Sequence, residues 1–248
     1  FGVLFSDPYE PLDIEFLKNK NNSSGHNTKV QVPKSLKKPA FPLYDDVIKD
    51  CKKIEGLFDF YWNEDKHKIY ISIKENQFNQ TYLASLTRQS GDAYYYDAAS
   101  QMGEFPFQFR KIANVIQWVH VNVLFRAEKD KAISKAIDNN FSDSIFSTSQ
   151  QVSMPHEETG AILVDANKLF IKDIGSVGQR RRGQYKPDAS NSFFKNIKSF
   201  VKNTEIDIIV NYRSAKGSNS FPLPNSKSIA INYHISLSLL PSHDYVPR

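Results

Sequence analysis

The chain has 248 residues, of which 40% are hydrophobic, enough to bury a sizeable core in one large domain or one domain with an appended arm. No stretch approaches the roughly 18 consecutive apolar residues of a membrane-spanning helix. The net charge of +5, from 32 basic and 27 acidic residues, is too mild to call for a nucleic-acid partner, and the single cysteine, Cys51, excludes an internal disulfide or a multi-cysteine metal site.

The chain opens on Phe1 with neither a basic n-region nor an apolar h-region, which reads as a processed or trimmed product. Residues 1–43 hold little periodicity. Asn21, Asn22, Ser23, Ser24 and Gly25 are followed by Lys34, Lys37, Lys38 and prolines at 33, 39 and 42. Such a composition buries too little apolar surface to fold alone. It predicts an extended arm, pinned by Phe1, Leu4, Phe5 and Phe16.

A β-rich domain is expected over 44–248, entered through a helix-to-sheet segment at 44–58. There Val47, Ile48, Cys51 and Ile54 share one face of a helix over 45–54 that Gly56 ends. Cys51 then reads as a small buried apolar residue, weighed against a thiol that blocks zinc from a pro-segment. Beyond Gly56 the period changes to two. Strands at 57–62 and 68–74 form a hairpin with Ile69, Ile71 and Ile73 inward, and a third strand follows at 81–88.

An aromatic loop containing Tyr94, Tyr95 and Tyr96 then runs to Pro106. Strands at 107–111 and 115–126 pair about Ala113 and Asn114, with Val115, Val119, Val121 and Val123 on the apolar face and His120 on the other as an ordinary strand histidine. A helix over 128–138 carries Ala132, Ile133, Ala136 and Ile137 on one side. Strands at 144–152 and 161–165 are joined by a turn at 155–160, and Asp165 is placed to cap a helical turn that ends at Phe170.

The stretch 174–188 lacks periodicity. It carries Arg180, Arg181 and Arg182 between Gly178 and Gly183, which reads as a solvated mobile loop. After Ser190 the stripe Phe193, Phe194, Ile197 and Phe200 predicts a helix, and two long strands at 204–212 and 228–240 finish the chain. Eight or nine strands against about three short helices, mostly with short connections, give an α+β, mainly β domain of antiparallel sheets.

No chemistry assembles along this order. A zinc peptidase helix needs two histidines four residues apart with a glutamate beside the first. The nearest string, His156 to Gly160, puts glycine where the second histidine belongs and lies in a turn. His234 and His243, with Asp244 beside the latter, lack a third ligand. The glycines at 175 and 178 match neither a nucleophile elbow nor a phosphate loop. Tyr94 to Tyr96 could stack on a sugar or grip an extended peptide, although core packing accounts for most aromatics. No catalytic, cofactor-binding or metal-binding residue is assigned.

Several separated stretches carry a resemblance. YDDVIKDCKKIEGLF at 44–58, Phe109 and Arg110 with Trp118 in the next strand, AILVDANKLF at 161–170, NSFFKNIKSF at 191–200 and HISLSLL at 234–240 running into PSHDYVPR resemble a bacterial zinc-dependent metalloprotease family. In that family, two domains of uncharacterised function precede a metzincin-like catalytic domain. The resemblance spans 41–248 and rests on the order and spacing of the stretches. It implies an accessory N-terminal module that packs on, orients or restrains a zinc peptidase domain in cis or in trans. The zinc would belong to that domain, which lies beyond this chain in a reading frame continuing past Arg248. A peptide substrate and a periplasmic or secreted location are implied likewise. The alternatives are a free-standing peptide- or glycan-binding module and a hydrolase with an unrecognised site.

Overall fold

Alternation of apolar and polar residues decides most of this molecule. In the computed structural model, which describes residues 41–92, 96–128, 131–217 and 223–241, the chain order is α1 (Tyr44–Ile48), β1 (Lys52–Ile54), β2 (Asp59–Asn63), β3 (Lys68–Ile73), β4 (Tyr82–Gly91), β5 (Ser100–Ile112), β6 (Val115–His120), α2 (Ala132–Asn140) and β7 (Ser144–Gln150), then β8 (Ile162–Asp165), α3 (Ala166–Phe170), α4 (Val177–Arg180), β9 (Lys186–Pro187), β10 (Phe193–Ser199), β11 (Asn203–Arg213) and β12 (Ser228–Leu239). All described residues fall within one compact unit, 39–248. The expected arm with Phe1, Leu4, Phe5 and Phe16, the residues Tyr94 and Tyr95, and the His243–Asp244 pair lie outside the described residues.

The strands form two sheets, one in the order β1-β2-β3-β8 and one in the order β10-β11-β12-β4-β5-β6-β7, with β9 added on β11. Every ladder is antiparallel. The inner faces share one core: Phe58, Phe60, Ile69, Ile71 and Ile73 from the small sheet pack with Tyr82, Phe107, Trp118, Ile208 and Ile235 from the large one. On β12, Ile229, Ile231, Tyr233, Ile235 and Leu237 all point inward and are fully buried. Each contributes on the order of 2 kcal/mol by burial, so a one-residue slip, which would turn all five to solvent, is strongly disfavoured.

The two sheets meet at both ends. At one corner the chain leaving β7 bridges β8 through Gln151 and Val164, and the Val152 N–H donates to the Leu163 carbonyl at 2.9 Å. At the other, the Leu57 N–H donates to the Phe200 carbonyl at 2.6 Å and the Ser199 hydroxyl to the Phe58 carbonyl at 2.9 Å. Gly56 permits this contact, because a Cβ there would lie 2.5 Å from the Ser199 carbonyl carbon and 2.6 Å from the Phe200 nitrogen. Between the sheets α3 is held as its sequence predicts: the Asp165 carboxylate accepts the Lys168 N–H at 3.4 Å and also receives the Lys68 ammonium at 2.5 Å.

Four expectations are corrected. The helix over 45–54 is only α1, and Ile54 lies on β1, because residues 52–54 satisfy their backbone groups on Trp62, Tyr61 and Phe60 of β2. The helix after Ser190 is β10. A bulge between Phe194 and Asn196 adds one residue to the strand, so Phe194 and Ile197 both face inward at a spacing that mimics a helical stripe. Strand β5 begins at Ser100, inside the expected aromatic loop, since its polar Ser-Gln stretch pairs with Arg88 and Thr87 of β4. Finally, β6 stops at His120, and its inward face is Ile116 and Trp118. Val119 is buried too, but it pairs opposite Gln108 of β5, on the face away from Trp118.

Candidate functional site

Past the end of β6 the chain leaves the sheet and carries its apolar residues outward. The Asp143 carboxylate organises the exit, accepting the Asn122 N–H at 2.6 Å and the Arg110 guanidinium at 2.5 Å. The Asn122 side chain in turn accepts the Leu124 N–H at 3.1 Å, and Phe125 stacks on Phe141 with centroids 4.0 Å apart. Six of the twelve exposed large apolar side chains among the described residues fall here: Val123, Leu124, Phe125, Ile133, Phe141 and Ile145. Leu124 is 85% exposed and Ile133 61%. Helix α2 has the apolar face that its sequence predicts, four residues later than expected. No described residue buries Ile133. Beside this segment lies a groove of about 390 Å³ that includes Pro106, His120, Val121 and Ser144.

A second assembly sits on the outer face of the large sheet. Antiparallel register puts Asp207 opposite His234 and Glu205 opposite Ser236, while β4 brings Thr87 and Ser85 alongside. His234 Nδ1 is 2.7 Å from Asp207 and Nε2 is 2.8 Å from Glu205, so only a ring with both nitrogens protonated donates to both carboxylates. The Ser236 hydroxyl donates to Glu205 at 2.9 Å and not to the ring, so the contact between nucleophile and base that a hydrolytic triad requires is missing. The alternating Glu-Ile-Asp of β11 and His-Ile-Ser of β12 signal one polar face each. Only the register joins them.

The remaining sequence candidates stay apart. His156 closes a turn, its Nδ1 accepting the N–H groups of Glu158 and Thr159 at 3.3 Å, with its ring edge-on to Tyr44 at 4.9 Å. His120 lies against the Phe105 ring at 4.4 Å. Cys51 is half-buried, its thiol directed at the Val47 carbonyl 3.8 Å away, and burial pushes that thiol up from its usual range. Among the described residues, no group of three or more His, Cys, Asp or Glu side chains is placed to hold a metal ion.

Instead of a featureless loop, the arginine run closes an ordered turn. The Asp173 carboxylate accepts the Val177 and Gly178 N–H groups at 2.7 and 2.9 Å, and Arg180 ends α4. Arg181 donates to the Tyr96 hydroxyl at 3.2 Å, and the guanidinium carbons of Arg88 and Arg181 each lie 5.6 Å from the Tyr96 ring centre. Tyr96 is buried, which fits core packing and not stacking on a ligand.

Buried tyrosines give the core a pH limit. Burial pushes the Tyr82 and Tyr233 hydroxyls up to about 12. The Tyr212 hydroxyl, 3.2 Å from that of Tyr233, is also raised, by burial first and then by its neighbour. The folded state therefore keeps protons that the unfolded chain loses near pH 10, and stability present below that pH is lost as pH rises toward 12. Thermal melts should hold their Tm up to about pH 9.5 and fall steeply between about 10 and 12. Tyr233→Phe should flatten that fall; an unchanged slope would contradict the assignment.

Two packed antiparallel sheets closed at both corners, with an apolar segment left outside, define a mainly β domain. A family model described as a domain of unknown function, DUF5117, matches residues 99–248, more than half of the chain, and the chain belongs to that family. No curated protein and no solved structure matches it.

Proposed function

We propose that this chain is a non-catalytic accessory module of a zinc-dependent metalloprotease, which docks on the catalytic domain through the segment 121–145. The observation that carries the docking part is the cluster of exposed apolar side chains there. Exposed apolar patches mark interaction sites in soluble proteins, and an amphipathic helix with an uncovered face is a common way to present one. The zinc peptidase identity of the partner is supported by the order and spacing of the resembling stretches over 41–248. The role as an accessory part is supported by His156 to Gly160, which lacks the second histidine of a zinc helix.

A pull-down with a zinc peptidase domain of the resembled family tests the reading. The chain should bind it, and Leu124→Glu should weaken binding at least tenfold, about 1.4 kcal/mol or more. Because Leu124 is exposed, its Tm should move by less than the equivalent of about 0.5 kcal/mol. Absence of binding, or one zinc held tightly per chain together with chelator-sensitive peptidase activity, would overturn the proposal.

A further inference from the structure

The end strands of the two sheets create a second, chemically different surface. Strand β1 terminates the small sheet and β10 terminates the large one. Among the described residues, neither outer edge has a ladder partner. Both strands run toward the corner where Leu57 bonds Phe200, so the seam between them is shut at that end by the close approach at Gly56. From that corner, where Ser199 and Phe200 border it, a groove of about 470 Å³ extends along the two strands. Ile54, Trp62 and Ile197 line it with apolar surface, and Lys52, Lys53 and Lys198 supply positive charge.

We propose that this seam binds an extended acidic peptide segment by strand addition. Unpaired edge N–H and C=O groups are a template for a further strand, and main-chain bonds supply affinity in that mode while alternate side chains supply selectivity. The charge pattern names the partner. Lys53 is already engaged by Glu55 at 3.6 Å and Asp59 at 3.8 Å, whereas Lys52 and Lys198 are exposed and have no ion pair among the described residues. Glu64 is the carboxylate that also lines the groove. An incoming strand on the β10 edge with carboxylates on one face and apolar residues on the other would meet Lys198 with the first and Ile197, Ile54 and Trp62 with the second. Lys52, which shares the Ile54 face of β1 and pairs with Trp62, adds its charge beside the apolar side. The bulge beside Asn196 bends β10 where the seam opens, a device that re-aims strand edges near binding sites.

The test uses the full chain and a fluorescent eight-residue peptide alternating glutamate and valine. Anisotropy should show saturable binding, and Lys52→Glu combined with Lys198→Glu should weaken it at least tenfold at unchanged Tm. A lysine–valine peptide and a proline-interrupted glutamate–valine peptide should not bind. Bound peptide should slow amide exchange at 52–54 and 193–199. Leu124→Glu should leave this binding intact, so the inference can fail while docking through 121–145 stands, and the converse. Lack of saturable binding, binding indifferent to the charge reversal, or protection confined to 121–145 would overturn it and leave the lysines as guards against edge-to-edge pairing.

Discussion

A fragment comprising residues 99–248 should fail to fold, whereas 39–248 should unfold in a single cooperative transition. The family match covers the former, yet β4 lies between β12 and β5 in the large sheet, and it comes from residues 82–91. Removing it leaves two half-sheets with open edges through the middle of the molecule. The same cut deletes β1, β2 and β3, and with them the fully buried Phe58, Phe60, Ile69, Ile71 and Ile73. At about 2 kcal/mol for each large apolar side chain, the loss from these and from Tyr82 and Leu86 of β4 is comparable with the whole of the roughly 5–15 kcal/mol that holds a domain folded. Near-UV circular dichroism and thermal melts decide it. A sharp, reversible transition in the shorter fragment would show that β4 and the small sheet are dispensable.

Trp118→Ala should cost about 4 kcal/mol, the middle of the range for deleting a buried aromatic. Trp118 is fully buried and its ring lies within 6 Å of three others, Phe107 at 5.9 Å, Phe146 at 4.6 Å and Phe170 at 5.1 Å. Alanine would open a cavity where β5, β7 and α3 meet. The indole is an imperfect fit in one respect: its Nε1 has no hydrogen-bond partner among the described residues, and a buried unpaired donor carries a penalty of about 1–3 kcal/mol. Trp118→Phe removes that donor while keeping most of the ring, and should cost less than about 1.5 kcal/mol. Denaturant melts of the two variants provide the comparison. Equal losses would mean that the indole N–H is satisfied.

Local pattern by itself determined the strands whose inward residues alternate without interruption. On β3 the isoleucines at 69, 71 and 73, and on β12 the run from Ile229 to Leu237, are legible because one buried face and a period of two admit a single orientation. The Asp165 cap was legible too, because it needs only residues three apart. Where a bulge intervenes, pattern misleads: Phe194 and Ile197 sit three apart on a strand because one residue is added there, and nothing short of pairing with β11 reveals it. The turn of helix at Tyr44–Ile48 was lost to a strand at its far end for a similar reason, since β2 offers residues 52–54 a ladder that outcompetes local propensity.

Tertiary structure alone decided the surfaces. Residues 123–145 read as an apolar strand followed by an amphipathic helix, and sequence places apolar faces against a core by default. Their exposure follows from β6 ending at His120 and from no described element covering α2. Likewise His234, Asp207 and Glu205 meet only through the register of β11 on β12, and Lys52 and Lys198 border one groove only because β1 and β10 end separate sheets that close at Gly56. Periodicity records which residues share a face of one element. Which faces remain uncovered depends on the order of strands in the sheets, a long-range property that short sequence spacings do not carry.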